Sequence, residues 1–385
     1  MKNFCVLPFV HFEIDTDGKV RPCCVYDGHY LKDDGSYYNV RKDSIHDFRS
    51  SQWIKTMQAR MLEDLPDSGC RKCYSEEQNG NTSRRMRENI RFASEIDNIK
   101  RGEFNLKIID IKPGNTCNLK CRICNEFSSS KWVEDKKKLF NTNKLFNSEQ
   151  LLNFKWYSNS LFWNELDGIM DHVEAIEIFG GEPMLIKQQF DFLEKLIERG
   201  ISKNITVSYA TNGTIFPEHA VKNIWPHFKH VTIMLSADGI GKGFEYSRYP
   251  AKWNEYEQTL DSYVASGIVP TISYGVSVYS IFNLLESIEY YYNKSIPVWL
   301  NIVYDANTSI AALPNEVKQK VTEHIRNNFK TEWLTILQEK TIDGVVNYMN
   351  NTNMDFAVMK KDIQEIDSIR NQKFNEVFSG LEHYV

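Results

Sequence analysis

The chain reads as an α/β protein built on a parallel sheet, and three observations predict it. Six apolar strand-like segments, at residues 106–111, 173–179, 205–210, 231–236, 271–278 and 298–304, alternate with amphipathic stretches. One such stretch, residues 187–199, places Phe190, Leu193, Leu196 and Ile197 on one face. Turns carrying Gly, Asn and Ser follow directly behind several of these segments, at the strand ends where parallel α/β folds gather their sites. Finally, all eight cysteines fall before residue 125 and in tight groups. Clusters of that kind in a chain with no secretory signal point to metal ligation, not to disulfides.

With 385 residues, 42% of them hydrophobic and 25% charged, the chain is long enough for one large domain with additions. Its net charge of −5 gives no overall electrostatic footprint for nucleic acid. No apolar run approaches the ~18 residues of a membrane span, so the expectation is a cytoplasmic protein without a membrane partner.

The first element is a hairpin. Residues 9–24 read as two strands about a turn at Asp17-Gly18, the strongest short hairpin signal, and the hairpin brings Cys5 and Cys23 near each other. A helix is expected over residues 44–63, where Ile45, Phe48, Ile54, Met57 and Met61 recur at near-helical spacing. The turn at Pro66 to Gly69 then delivers Cys70 and Cys73. Four thiolates, Cys5, Cys23, Cys70 and Cys73, converge in this reading with Cys24 spare, although Cys24 can replace Cys23. A four-cysteine zinc knuckle is the structural alternative.

Residues 79–102 read as a Ser-capped helix joining two modules, and its arginines as a solvated face, with an anion-binding role as the alternative. Behind the strand at 106–111 come Cys117, Cys121 and Cys124, spaced C-x3-C-x2-C. A four-iron cube needs one ligand per iron, so three thiolates on one loop leave an iron open. Structural zinc would instead take four protein ligands, and no fourth Cys or His lies near this trio. The insertion over residues 125–171 carries Trp132, Trp156, Tyr157, Phe162 and Trp163, which suit either a pocket wall or packing between modules.

Gly180, Gly181, Glu182 and Pro183 follow the second barrel strand, where the glycines permit close backbone approach and Pro183 starts a helix. Thr211 and Asn212 follow the third, and Ser236 and Asp238 the fourth, all suited to hydrogen-bonding a polar ligand. Arg248 suits a bidentate carboxylate contact, with a surface ion pair as the alternative. Val278 and residues 301–304 end the last two strands and suit a pocket wall. Glu177, His172, Tyr209 and Tyr304 are candidates for acid–base work, with none singled out. From residue 307 the chain reads as helices to its end, with Val317, Val321, Ile325 and Phe329 at helical spacing.

The cysteine loop and the Gly-Gly-Glu-Pro run together resemble the radical S-adenosylmethionine (SAM) superfamily over most of residues 1–305. Ile123 departs from the aromatic that many members carry there, which touches packing on the adenine. The amino-terminal cysteines resemble the twitch module, a shortened SPASM domain, which in better-known members follows the barrel and here precedes it.

The resemblance implies a partial (β/α)6 TIM-type barrel over residues 103–305. A hairpin and helix cluster module would occupy 1–85, a helical linker 86–102 and a carboxyl-terminal helical cap 306–385. It implies a [4Fe-4S] cluster on Cys117, Cys121 and Cys124, and a second, auxiliary [4Fe-4S] cluster on Cys5, Cys23, Cys70 and Cys73. SAM would be held near Gly180, Gly181, Glu182, Pro183, Thr211, Asn212, Ser236 and Arg248. The activity implied is an oxidoreductase that cleaves SAM to a 5′-deoxyadenosyl radical, abstracts a substrate hydrogen atom and passes an electron to the auxiliary cluster. A flavodoxin or ferredoxin is the expected electron donor. A small or carbohydrate-like substrate is preferred over a peptide or protein one, because no leader-recognition domain is evident. A non-catalytic iron–sulfur or zinc protein is the alternative from another class.

Overall fold

The computed structural model describes residues 2–78, 82–140, 154–338 and 342–378. Parts of the expected linker helix, of the 125–171 insertion and of the carboxyl-terminal cap lie outside these residues. The chain divides into two compact units. The first comprises Met1–Thr116, Asn153–Tyr209 and Glu218–Val231, the second Cys117–Leu152, Ala210–Pro217 and Thr232–Val385. No helix of the described residues is long and apolar enough to cross a membrane.

In the first unit, strands β1 (His11–Ile14), β2 (Val20–Arg21), β3 (Ile108–Ile111), β4 (Ala175–Ile178) and β5 (Thr206–Thr211) lie in the order β2-β1-β3-β4-β5. The hairpin forms about Gly18, whose φ of +85° is open to glycine at little cost. It is not separate from the barrel strands: β1 is the parallel neighbour of β3, with Glu13 opposite Asp110. The sequence reading placed Phe9 and Val10 in the first strand, but they close a short helical turn, Leu7–Val10, with Pro8 in its first turn.

Asp110 is opposite Glu177, and Glu177 opposite Ser208. One face of this sheet carries Phe12, Ile14, Ile109, Ile111, Ile176, Ile178, Val207 and Tyr209, all buried. The other carries a polar row, Glu13, Asp110, Glu177 and Ser208. Parallel strands covered on both sides ordinarily read as continuous apolar runs, so a charged row on one side marks a surface kept for something other than packing.

The expected helix over 44–63 is two helices, Ile45–Arg49 and Gln52–Leu62. Ser44 caps the first in a reciprocal box with Asp47, and Ser51 accepts from the Ile54 N–H to start the second, which breaks the run. The five apolar residues named from spacing are buried. Helix Arg84–Arg91 begins at the Ser83 cap, but its arginines are not a solvated face. Arg85 is buried against Glu77 and the carbonyls of Lys2 and Phe4, and the Arg84 side chain is 10% exposed. Helix Lys187–Glu198 buries Gln189, Phe192, Leu193 and Leu196. Phe190 and Ile197, expected on that face, are half-buried. Trp156, Phe162, Trp163 and Phe192 pack ring to ring at centroid distances of 5.0 to 6.3 Å, so these insertion aromatics are core.

In the second unit, β6 (His230–Ala237), β7 (Thr271–Val276), β8 (Val298–Ile302) and β9 (Leu337–Gln338) run parallel in that order. β9 corrects the all-helical reading of the carboxyl-terminal segment, since Leu337 pairs with Val298. Helices Asn315–Asn328, Ile342–Asn351 and Phe356–Arg370 make up most of the rest, with Val317, Val321 and Ile325 buried as spaced and Phe329 half-buried.

Candidate functional site

Cys5, Cys23, Cys70 and Cys73 line one small cavity, together with Leu7, Val25, Tyr26 and Arg85. Each thiol arrives on a different local device. Cys5 precedes the Pro8 helical turn and Cys23 follows β2. Cys70 closes the turn Ser68–Cys70, and Cys73 sits in the first turn of helix Arg71–Gln78. Tyr26 walls the cavity by lying over Gly69, where a Cβ would meet its ring at 2.2 Å, and its hydroxyl donates to Asp67 at 3.0 Å. Burial pushes the Cys70 thiol up to about 12, and Cys5 and Cys23 rise for the same reason. Thiols so buried ionise only when a cation takes the place of their protons.

Cys24 points elsewhere. Its sulfur lies 2.7 Å from Arg84 Nη1 and within 4.8 Å of carboxylate oxygens of Glu13 and Asp110. Of the two adjacent cysteines, Cys23 lines the cavity and Cys24 lies on the charged row.

In the second unit, the loop carrying Cys117, Cys121 and Cys124 is fixed largely through its backbone. Lys120 N–H donates to Tyr249 O at 2.8 Å, Arg122 N–H to Ser247 O at 2.7 Å, and Trp132 Nε1 to Cys121 O at 2.9 Å. The Cys124 N–H donates to Cys121 O at 3.0 Å. Arg122, fully buried, stacks on the Tyr246 ring at 3.7 Å and pairs with Asp367. Charged and backbone contacts thus hold this loop from both ends, and the Leu119 N–H donates to the Cys117 sulfur at 3.4 Å.

Asn212 Nδ2 donates to Asn118 Oδ1 at 2.8 Å and approaches Cys117 Sγ at 3.8 Å; Thr211 is buried beside it. Arg248 is no surface pair. It is buried, bonded to Asp238 at 2.9 Å, and its charge acts on Cys121 and Cys124. Asp238 also accepts from Gly275 N–H at 3.1 Å, and Ile123 lies against Gly275, where a Cβ would meet it at 2.9 Å. Ser236 sits on β6 opposite Ser273, whose hydroxyl accepts from Asn301 Nδ2 at 2.8 Å.

Gly180, Gly181, Glu182 and Pro183 stay together in the first unit. Gly180 and Gly181 have φ of +76° and +52°, and a Cβ on Gly181 would meet Thr116 O at 2.5 Å. The Glu182 N–H donates to that same carbonyl at 2.8 Å, one residue before Cys117 in the chain. The Glu182 carboxylate, fully buried, caps the turn Pro183–Leu185 by accepting from Met184 N–H at 3.0 Å. A strand end held this close leaves room for a ligand only on a backbone without side chains.

Of the acid–base candidates, Tyr209 is buried and donates to Gln189 at 2.6 Å, His172 is exposed, and Tyr304 is exposed and packs edge-on against Tyr348. Glu177 alone joins a charged cluster. Arg84 bridges it at 3.1 Å to Asp110 at 3.3 Å, and His11 Nε2 lies 3.1 Å from Asp110. Sequence reasoning named Glu177 but missed Glu13, Asp110, His11 and Arg84. A signal was present: Phe12-Glu13-Ile14, Ile109-Asp110-Ile111 and Ile176-Glu177-Ile178 each set one acid between two apolar residues.

Residues 5–74 match the SPASM family, an iron-sulfur cluster-binding domain. No curated protein matches the chain. Among solved structures, native anSMEcpe with bound AdoMet is 18% identical, with 64% of this chain and 63% of that chain covered and a TM-score of 0.39. Streptococcus suis SuiB bound to S-adenosylmethionine is 16% identical over 72% of this chain and 59% of that one, at 0.37. SuiB bound to precursor peptide SuiA is 13% identical over 89% and 75%, at 0.39. The chain spans from about half to under two thirds of the length of the anSMEcpe structures it matches.

Proposed function

We propose, starting from the iron–sulfur cluster-binding domain at residues 5–74, that this chain is a radical SAM enzyme that oxidises a peptide or protein substrate. The observation that carries the reading is the hydrogen bond from Glu182 N–H to Thr116 O, at the residue before Cys117. It sets the Gly-Gly-Glu-Pro turn, with its glycine backbone bare, at the root of the three-cysteine loop.

The donor sets fit the cofactors. Four cysteines around one cavity suit a fully ligated cluster, and Cys5, Cys23, Cys70 and Cys73 are its ligands in this reading. A zinc ion at 2.3 Å from each sulfur would hold them roughly 3.8 Å apart. Yet among the described residues the only trios of metal-ligating atoms within 4.8 Å are Glu13–Cys24–Asp110 and Asp15–Asp17–His29. Cys117, Cys121 and Cys124 would hold the cluster with the open iron, and the chemistry such a group would supply is the one-electron cleavage of SAM. In this reading Gly180 and Gly181 of the first unit would present bare backbone to SAM, and within the second unit Thr211, Asn212 and Ser236 would offer hydrogen bonds while Arg248 would supply positive charge beside the cysteines.

The order of substrate classes turns on the SPASM match. The match to that family over residues 5–74 supports peptide and protein modification in this reading, and the small or carbohydrate-like substrate moves to second place. The test incubates the anaerobic, reconstituted enzyme with SAM and dithionite, adding either a peptide library or a panel of polyols and glycosides. A peptide that gains a mass change and raises 5′-deoxyadenosine formation supports the reading. Stimulation by a glycoside alone reverses the order.

A further inference from the structure

The polar row of the first unit is a place where a proton can be held. Asp110 and Glu177 are opposite each other on adjacent strands, and one guanidinium, that of Arg84, reaches both, at 3.3 and 3.1 Å. The Asp110 side chain is fully buried and that of Glu177 is 16% exposed. Two neighbouring carboxylates with little access to water hold the second charge reluctantly, so the weaker acid takes up a proton near neutral pH.

The groups facing the pair come from four elements. Arg84, from helix Arg84–Arg91, contacts both acids, with Glu88 4.0 Å from it on the same helix. His11 on β1 faces Asp110 with Nε2 and the Pro22 carbonyl with Nδ1 at 2.8 Å. A carbonyl only accepts, so Nδ1 carries a proton. Glu13, also on β1, is paired to Lys112 at 2.5 Å, and Cys24 lies against Arg84 after β2. Burial, then the Asp110 charge, pushes Glu177 up to about 7, while His11 and Arg84 on the far side hold Asp110 well below the usual carboxylate range.

This row adjoins the four-cysteine cavity through two pairs of neighbours. Cys23 lines the cavity and Cys24 touches Arg84; Arg85 lines the cavity and Arg84 holds Asp110 and Glu177. We propose that the Asp110–Glu177 pair takes up one proton when the group bound by Cys5, Cys23, Cys70 and Cys73 takes up one electron. This inference rests on the reading of that group as an iron–sulfur cluster. When a substrate radical next to an O–H or N–H is oxidised to a C=O or C=N, one electron and one proton are lost; a cluster held by the four cysteines would accept the electron, and the pair would take up one proton to match it. The charge added at the cavity is then matched by a proton on the row that Cys24 and Arg84 join to the cavity residues Cys23 and Arg85.

The test is a potentiometric titration, followed by electron paramagnetic resonance, of the Cys117→Ala/Cys121→Ala/Cys124→Ala variant, which isolates the second cluster. It is run between pH 6 and 9, with and without Glu177→Gln. A one-electron, one-proton couple shifts by about 59 mV for each tenfold change in proton activity. The expected result is a midpoint that falls toward that slope above pH 7 and is flat with Glu177→Gln. Asp110→Asn is the second variant, expected to flatten the same slope, and decides the matter should Glu177→Gln lose iron. A midpoint independent of pH, or a slope unchanged in the variants, overturns the inference while leaving the cluster in place. Zinc at the four cysteines would instead overturn the reading beneath it.

Discussion

Arg84 holds its guanidinium 2.7 Å from the Cys24 sulfur, and the neighbouring Cys23 lines the four-cysteine cavity instead. Two adjacent cysteines therefore have different duties. Cys23→Ser is expected to lose the amino-terminal cluster, about four irons per chain, whereas Cys24→Ser keeps it. Iron and acid-labile sulfide analysis of both variants checks this, and iron loss in Cys24→Ser with retention in Cys23→Ser would reverse the assignment.

Gly181 has a φ of +52°, and a Cβ there would meet Thr116 O at 2.5 Å. Gly181→Ala should cost on the order of 1–3 kcal/mol in backbone strain and displace the turn from the root of the cysteine loop. Weaker SAM binding by calorimetry, with iron content unchanged, is the expected outcome.

The charged row gives stability a sign with pH. Glu177 binds its proton more tightly in the folded chain, so its contribution is complete below its ordinary value of 4.5 and lost as pH rises to about 7. His11 acts in the same direction: burial opposes its charge, but Asp110 outweighs that and raises it, so its contribution is complete below 6.5 and lost above its raised value. Stability should fall between about pH 5 and 8, with Glu177 responsible for on the order of 3 kcal/mol. Anaerobic denaturant titrations at the two ends of that range should show the fall in the wild type and a smaller one in Glu177→Gln.

The Arg248–Asp238 pair is buried, and removing one partner strands the other. Asp238→Ala should destabilise by about 3–5 kcal/mol, since it also removes the acceptor for Gly275 N–H. Asp238→Asn, which still accepts from Gly275, should cost less; equal losses in denaturant titrations would count against the Gly275 contact.

Much of this was legible in the sequence. The six barrel strands, the Gly18 hairpin and the cysteine groups are set by local chemistry: β-rich apolar runs, a turn dipeptide and ligand spacing. What escaped reading depends on tertiary context. Ser51 divides an apolar helical pattern because its side chain caps a second helix, a choice the periodicity of Ile45 to Met61 does not reveal. β9 is too short to have a period and exists through its pairing with Val298. The arginines at 84 and 85 look like a solvated face because a helix that polar ordinarily is one, and only the acids on β3 and β4 and Glu77 explain their burial. The acids between apolar neighbours were visible singly, but their alignment into one row needed the register of three strands.

The most direct test of the central claim measures iron, acid-labile sulfide and zinc together with 5′-deoxyadenosine formed from SAM and dithionite. It compares the wild type with the Cys117→Ala/Cys121→Ala/Cys124→Ala variant under anaerobic conditions. The account predicts about eight irons falling to about four, with SAM cleavage lost in the variant. Iron-loaded wild-type protein that forms no 5′-deoxyadenosine would contradict it.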